Sequence, residues 1–325
     1  MHHWFTRILG LTFTLLLAIS LAACSSSSTN QTAANDNSTG SQPANSSSDG
    51  DRITVQDALG TVTLPGKPAR IISMDFSFTD MLVTLGVQPI GIADDGTPEL
   101  FMDSVKSKLK DYTSVGSRYE PNIELISSLQ PDLIIVDINK HKNALTQLKG
   151  IAPVLALDDF QADYEHMLKN YTILATAVGK SEEAQKRLKE HQVKMDAAKK
   201  KLKNTSLTVL PAVVNPKGFF AHSDHAYTGS IVKLLGFTDP VHSDKAYPEL
   251  TLEQLVEANP QVLFLMPTDS ATIVNQWESN PLWQKIDAVK NNRVFTVERR
   301  NWSLSRGMLG SEKIAEDIVN SLGEK

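Results

Sequence analysis

The chain has 325 residues, 41% hydrophobic and 21% charged, with a formal net charge of −5, which suits one or two ordinary globular domains. No basic field is present, and this argues against nucleic acid as a partner. Cys24 is the single cysteine, so an internal disulfide, a cysteine-rich zinc site and an iron–sulfur cluster are all excluded.

The N-terminus reads as a targeting segment and is set apart from the fold. His2, His3 and Arg7 form a short, weakly basic leader before an apolar run from Ile8 to Leu21. That run is too short to span a bilayer comfortably as a helix. It ends in Leu21-Ala22-Ala23-Cys24, which resembles the lipobox of bacterial lipoproteins: an aliphatic residue, two small ones, then the cysteine that receives the lipid. Residues 1–23 are therefore expected to be removed and Cys24 acylated. Residues 24–51 are almost purely small and polar and cannot bury enough apolar surface to order themselves, as expected of a flexible tether. A lipid, a tether and a folded body place the protein on the extracytoplasmic face of a cell membrane.

From Arg52 onward the pattern is α/β. Short aliphatic runs at Arg70–Met74, Pro89–Ala93, Leu133–Val136 and Val154–Leu157 suit strands of a parallel sheet covered on both faces. The apolar helix through Asp80–Leu85 stops at Gly86, a C-cap signal. From residue 163 to 202 the chain reads as helix, with Tyr164, Met167, Leu168, Tyr171, Leu174, Ala175 and Val178 on one face. Gly179-Lys180-Ser181 interrupts it, with Ser181 as the expected N-cap. The second helical piece, Glu182–Leu202, would be about 30 Å long, enough to brace one half of the molecule against the other.

The second half repeats the first. Asn122-Ile123-Glu124-Leu125-Ile126 leads to Pro131 and the strand at 133–136; Thr251-Leu252-Glu253-Gln254-Leu255 leads to Pro260 and a strand at 262–265. Leu85-Gly86-Val87 is matched by Leu235-Gly236-Phe237. A duplicated helix–Pro–strand unit implies two similar lobes. The expected architecture is two α/β lobes with mainly parallel sheets, residues 52–161 and 203–325, joined by a long rigid helical linker over 162–202, with a ligand cleft between the lobes.

These features resemble the cluster of ABC-importer binding proteins that carry ferric siderophores, haem and cobalamin, and within it the ferric-dicitrate type. The resemblance covers nearly all of residues 52–325. It is carried by Thr79-Asp80-Met81-Leu82-Val83, Gly91-Ile92-Ala93-Asp94-Asp95, Ser114-Val115-Gly116 with Arg118, Pro131–Ile135, Thr228-Gly229-Ser230, Leu252–Leu255, Pro281–Gln284 and Trp302 with Arg306-Gly307. It implies a monomeric binding protein, not an enzyme, that takes an anionic ferric chelate and passes it to an ABC permease driven by a cytoplasmic ATPase. The iron arrives wrapped in its chelator, with no cofactor and no direct protein ligand to the metal.

The charged residues favour the same class of cargo. An anionic, hydrophilic complex calls for positive forks and hydroxyl donors in a cleft, since a guanidinium matches carboxylate geometry with paired N–H bonds. Arg118 follows the loop-like Ser114–Ser117. Lys140 and His141 follow the strand ending at Val136, where open α/β sheets place ligands. Arg300, Trp302 and Arg306 follow the strand at 293–297, and Tyr227 precedes Thr228-Gly229-Ser230. The expected ligand-binding residues are Arg118, Lys140, His141, Tyr227, Arg300, Trp302 and Arg306. Lys140 and Tyr227 replace the arginine and tryptophan of the ferric-dicitrate type, which leaves hydroxamate or catecholate siderophores and haem as alternatives. The resemblance further assigns Glu124 and Glu253, one in each lobe, to docking on the two permease subunits.

Two other classes fit the sequence less well. His222-Ser223-Asp224-His225 offers possible zinc ligands, in keeping with a receptor for bare Zn²⁺ or Mn²⁺, but its spacing fits no established metal motif and a polar cleft loop is the expectation. A surface hydrolase would need a nucleophile elbow, a His-Glu-x-x-His pair or a phosphate loop, and none is found.

Overall fold

The computed structural model describes residues 52–203 and 205–323. The leader, Cys24 and the tether lie outside the described residues. An antiparallel hairpin of β1 (Ile53–Asp57) and β2 (Gly60–Leu64) precedes the first strand expected from the sequence. Its turn uses Gly60 at φ 126°, and the Asp57 carboxylate accepts the N–H of Ala156, which pins the hairpin to the strand at 154–157.

The first sheet contains β3 (Ile71–Ser73), β4 (Gly91–Ile92), β5 (Thr113–Ser114), β6 (Leu133–Asp137) and β7 (Val154–Leu157), in the order β5-β4-β3-β6-β7 and parallel throughout. Its central strands are buried along their whole length, as their uninterrupted Ile, Leu and Val demand. The connections carry α1 (Phe76–Thr84), α2 (Asp103–Lys106), α3 (Ile123–Ser128) and α4 (Leu145–Lys149). Asp75 caps α1, and Gly86, at φ 71°, closes it by the expected left-handed turn: Gly86 N–H reaches Val83 O and Val87 N–H reaches Leu82 O.

Then come α5 (Tyr164–Ala177) and α6 (Ser181–Lys200), separated by Gly179 at φ 65°. Ser181 is the first helical residue of α6 and the cap position belongs to Lys180, a correction of one residue. The second half contains β8 (Val209–Asn215), β9 (Gly218–Ala221), α7 (Tyr227–Leu234), β10 (Glu249–Leu250), α8 (Leu252–Ala258), β11 (Val262–Pro267), α9 (Ile273–Trp277), α10 (Asp287–Lys290), β12 (Val294–Thr296) and α11 (Met308–Leu322). Its sheet runs β10-β9-β8-β11-β12. The β8, β11 and β12 strands are parallel, whereas β9 and β10 add an antiparallel edge. The two-lobed α/β fold is as expected, with the parallel character complete in the first sheet and shared with antiparallel pairing in the second.

The duplication extends to backbone detail. Gly236, at φ 105°, closes α7 with the same two hydrogen bonds that close α1. Gln130 and Asn259, each just before the repeated proline, both take left-handed φ, 46° and 40°. Tyr164, Met167, Tyr171 and Leu174 of α5 share one apolar cluster with Leu133 and Ile135 of the first sheet and with Phe264, Trp302 and Ile314 of the second half. Glu312 on α11 gathers Arg187, His191 and Lys194 from α6, and His191 also meets the Tyr164 hydroxyl at 2.8 Å. The helical segment is thus packed into both halves.

Candidate ligand-binding site

The strand ends of both sheets meet at a cavity of about 210 Å³, lined among others by Arg118, Lys140, Arg299 and Arg306, with Phe160 and Tyr247 on its walls. Among the described residues no carboxylate lines it.

Each cation is placed by backbone chemistry upstream of it. Asp95 sits at φ 60°, a left-handed position that short acidic side chains tolerate, and Gly96 follows at φ 63°. From there the Asp95 carboxylate accepts the Arg118 N–H at 2.8 Å and its guanidinium at 2.8 and 3.0 Å. The Arg118 guanidinium also lies over the Phe76 ring, 4.5 Å from its centre. The Asp137 carboxylate, at the end of β6, accepts four backbone N–H groups: Asn139 and Lys140 in its own loop, Asp159 and Phe160 in the loop after β7. One buried acid therefore fixes both Lys140 and Phe160. The Lys140 ammonium pairs with Asp75, whose carboxyl is held at about 2: burial alone would raise it, and Lys140 and Arg118 more than offset that.

Arg299 and Arg306 come from a π-helical turn over Arg300–Leu304 and its flanks. Such turns change which residues face a given side, and they recur at functional sites. Arg306 is 7% exposed and, among the described residues, donates only to carbonyl oxygens, those of Ser303, Asp159 and Phe160. Its guanidinium stacks over Phe160 and Tyr247, 5.2 and 5.6 Å from the ring centres. The Arg299 guanidinium makes no hydrogen bond or ion pair with any described residue, and its Nε is buried. Burial, then Arg118, press its pKa downward. His222 is buried in the cavity wall edge-on to Tyr247, and burial followed by Arg306 and Arg299 lowers its imidazole to about 3, so it is neutral.

The residues expected from sequence fall into two groups. Arg118, Lys140 and Arg306 come together at the cavity. His141, Tyr227, Arg300 and Trp302 do not line it, and each placement is a correction with its own cause. His141 is turned under its loop, its Nδ1 accepting the Asp137 N–H at 3.0 Å. Tyr227 opens α7 facing inward, and its hydroxyl donates to Gly307 O at 2.7 Å and lies 2.8 Å from Ser311 Oγ. Trp302 is fully buried, tilted against Phe264 and donating to Asp317. Arg300 points away to pair with Asp103 and Glu298. Sequence reasoning missed Arg299, Phe160 and Tyr247; proximity to Arg300 was the available signal for the first. His222 takes the expected place of a polar cleft residue. Among the described residues no three His, Cys, Asp or Glu side chains gather to hold a metal. Glu124 and Glu253 are exposed at the second position of α3 and α8 respectively.

Residues 71–300 match the family model described as periplasmic binding protein. The Fe(3+)-citrate-binding protein YfmC of Bacillus subtilis is 38% identical, over 100% of both chains. The Fe(3+) dicitrate-binding periplasmic protein FecB of Escherichia coli is 36% identical, over 82% of this chain and 89% of its own. Among solved structures, Staphylococcus aureus SirA complexed with staphyloferrin B superposes with a TM-score of 0.73 at 28% identity, covering 83% of this chain and 98% of that one.

Proposed function

The chain belongs to the periplasmic binding protein family, and on that premise we propose that it captures an anionic ferric chelate, ferric citrate first among them, and delivers it to an ABC permease. The observation that carries this reading is the unpaired charge of the cavity. Four cations line it, Arg299 has no acceptor among the described residues, and Arg306 binds only carbonyl oxygens. A partly buried guanidinium with no acceptor, such as that of Arg299, carries an electrostatic cost. An anion coated with carboxylates supplies what is missing, with bidentate geometry. The relatives named for ferric citrate point the same way.

The space is compact, below the roughly 300–1,000 Å³ usual for drug-sized ligands, which favours a small chelate over haem. Phe160 and Tyr247 offer ring faces that a catecholate could use, so that class is the second reading. In both, Arg118, Lys140, Arg299 and Arg306 grip the negative rim, Tyr247 and His222 give polar contacts, and no reaction is catalysed. Lobes at 52–161 and 203–325, bridged by 162–202, would move little on binding. Lipid on Cys24 would hold the protein at the membrane as a monomer, and Glu124 and Glu253 would meet the two permease subunits.

Among the described residues no tryptophan lines the cavity, so calorimetry is the suitable assay. Titration with ferric citrate, iron-free citrate, a ferric hydroxamate, a ferric catecholate, haem and Zn²⁺ should give tight binding for ferric citrate. Silence with every ferric chelate, or preference for the free metal, would overturn the reading.

A further inference from the structure

Behind the cavity's cations lies a carboxylate that none of them holds. Asp159 is fully buried just after β7. Its Oδ2 accepts one hydrogen bond, from the Ser77 hydroxyl at 2.9 Å, and its Oδ1 has no partner among the described residues. Arg306 reaches the backbone carbonyl of Asp159 at 3.3 Å, not its carboxylate. Asp75 occupies the same buried patch but is paired with Lys140 and Arg118. The charged and titratable groups around Asp159 are Asp75 from the turn before α1, Asp137 and Lys140 from the end of β6 and its loop, and Arg306 from beyond the π-helical turn, with Tyr227 and Tyr247 across from the second half. Burial first, then the Asp75 charge, push its carboxyl up to about 7, against the pull of Lys140 and Arg306.

We propose that Asp159 takes up a proton from solvent when an anionic chelate enters the cavity, so that capture of cargo and protonation of this buried acid are linked. The inference rests on the anionic cargo proposed above. An anion that engages Lys140 and Arg306 draws on the positive potential that keeps Asp159 charged, and it adds negative potential of its own. Both effects favour the neutral acid. The hydrogen bonds of Arg306 run to carbonyl oxygens and survive the change. Affinity therefore weakens as pH rises through the ligand-free titration of Asp159, by about tenfold for each unit by which the cargo raises it.

The test is calorimetry of wild type and Asp159→Asn with ferric citrate, a ferric hydroxamate and a ferric catecholate, from pH 6 to 8.5, in two buffers of unlike ionisation heat. Changes in the chelates with pH affect both proteins alike, so the difference between them is the readout. Wild type should lose about tenfold more affinity across the range than Asp159→Asn, with a buffer-dependent heat of proton uptake that the variant lacks. Equal slopes and equal buffer dependence would overturn the proposal. Carboxyl carbon NMR of the ligand-free protein should contain two resonances titrating near 7, from Asp80 and Asp159; Asp159→Asn removes one of them, and Ser77→Ala, which deletes its only donor among the described residues, moves that one upward. If the resonance that Asp159→Asn removes shows an ordinary carboxylate titration, the proposal fails whatever the cargo. That resonance titrating near 7 in a protein that binds none of the three chelates refutes the cargo, and the linkage with it.

Discussion

The Asp80 carboxylate on α1 accepts the backbone N–H of Gly310 at 3.2 Å, joining a helix of the first half to the first turn of α11 across 230 residues of chain. It also accepts the N–H of Leu309 at 3.4 Å. The approach is close because Gly307 has no side chain; a Cβ there would come within 2.3 Å of the carboxylate carbon. Asp80 thus serves as a cap supplied from another part of the fold, at the end of α11 where anions are favoured. Asp80→Ala strands these donors in the interior and should cost about 2 kcal/mol in urea denaturation at pH 6. A cost near zero would mean that water replaces the carboxylate.

The same residue makes stability fall with pH. Burial, only partly offset by Gly310 and Leu309, pushes its carboxyl up from 3.8 to about 7. The folded chain then binds more protons than the unfolded chain between these values, so stability declines as pH rises through that window. Asp80→Asn, neutral throughout and still an acceptor, should flatten the decline between pH 5 and 8, recovering on the order of 3 kcal/mol at the upper end. Unchanged slopes in wild type and variant would show that Asp80 titrates normally.

Lys140 and Arg299 line one cavity yet should behave oppositely when removed. Lys140 is the counter-charge of buried Asp75, so Lys140→Met leaves that acid without its main partner and should cost roughly 3 kcal/mol of stability as well as affinity. Arg299 has no such partner among the described residues. Arg299→Met removes an uncompensated charge and should raise the thermal midpoint while weakening ferric citrate binding at least tenfold, a trade of the kind that binding sites impose. If Arg299→Met melted lower than wild type, its charge would have to be satisfied within the protein.

What the sequence revealed of this site follows from what periodicity can and cannot encode. Arg118, Lys140 and Arg306 were legible because each follows a strand, and parallel sheets bring strand ends together. Arg299 and Arg300 are neighbours, and only the π-helical turn decides that the first faces the cavity and the second faces Asp103; nothing in their residue types records that. Tyr227 and Trp302 were misplaced because an aromatic near a predicted cleft can equally face the core, and only the seats against Gly307 and Phe264 settle it. The β1–β2 hairpin carries little sequence signal, since its alternation is short and borders the small polar tract at 24–51. The duplicated helix–Pro–strand unit was legible, whereas the left-handed turn at Gln130 and Asn259 before each proline emerges only from the structure.

Gly229, at the third position of α7, faces the carbonyl oxygen of Ser223, and a Cβ built there would lie 1.9 Å from it. Backbone on both sides leaves no rotamer to yield. Gly229→Ala should therefore displace α7 from the loop bearing His222, with a loss of about 3 kcal/mol or more and weakened chelate binding. A variant as stable as wild type would show that the loop at 222–226 can shift without cost.

Glu124 and Glu253 are exposed, occupy the same position in α3 and α8, and follow caps of equal kind, Asn122 and Thr251, each accepting the backbone N–H three residues on. An acid in a first helical turn is favoured by the helix dipole whatever else it does, worth only a few tenths of a kcal/mol at an exposed site. Removing both should barely alter stability, and since neither lines the cavity, ligand affinity should also stand. A transport role predicts a different pattern: Glu124→Ala with Glu253→Ala abolishes ferric citrate uptake by cells that hold the protein at normal surface levels, while either single change leaves part of it. Charge reversal to lysine at both sites should be as damaging as alanine, because a permease surface that receives an acid would reject a cation. Full uptake by the double alanine variant would remove the acids from the docking surface and leave them as helix-end residues alone.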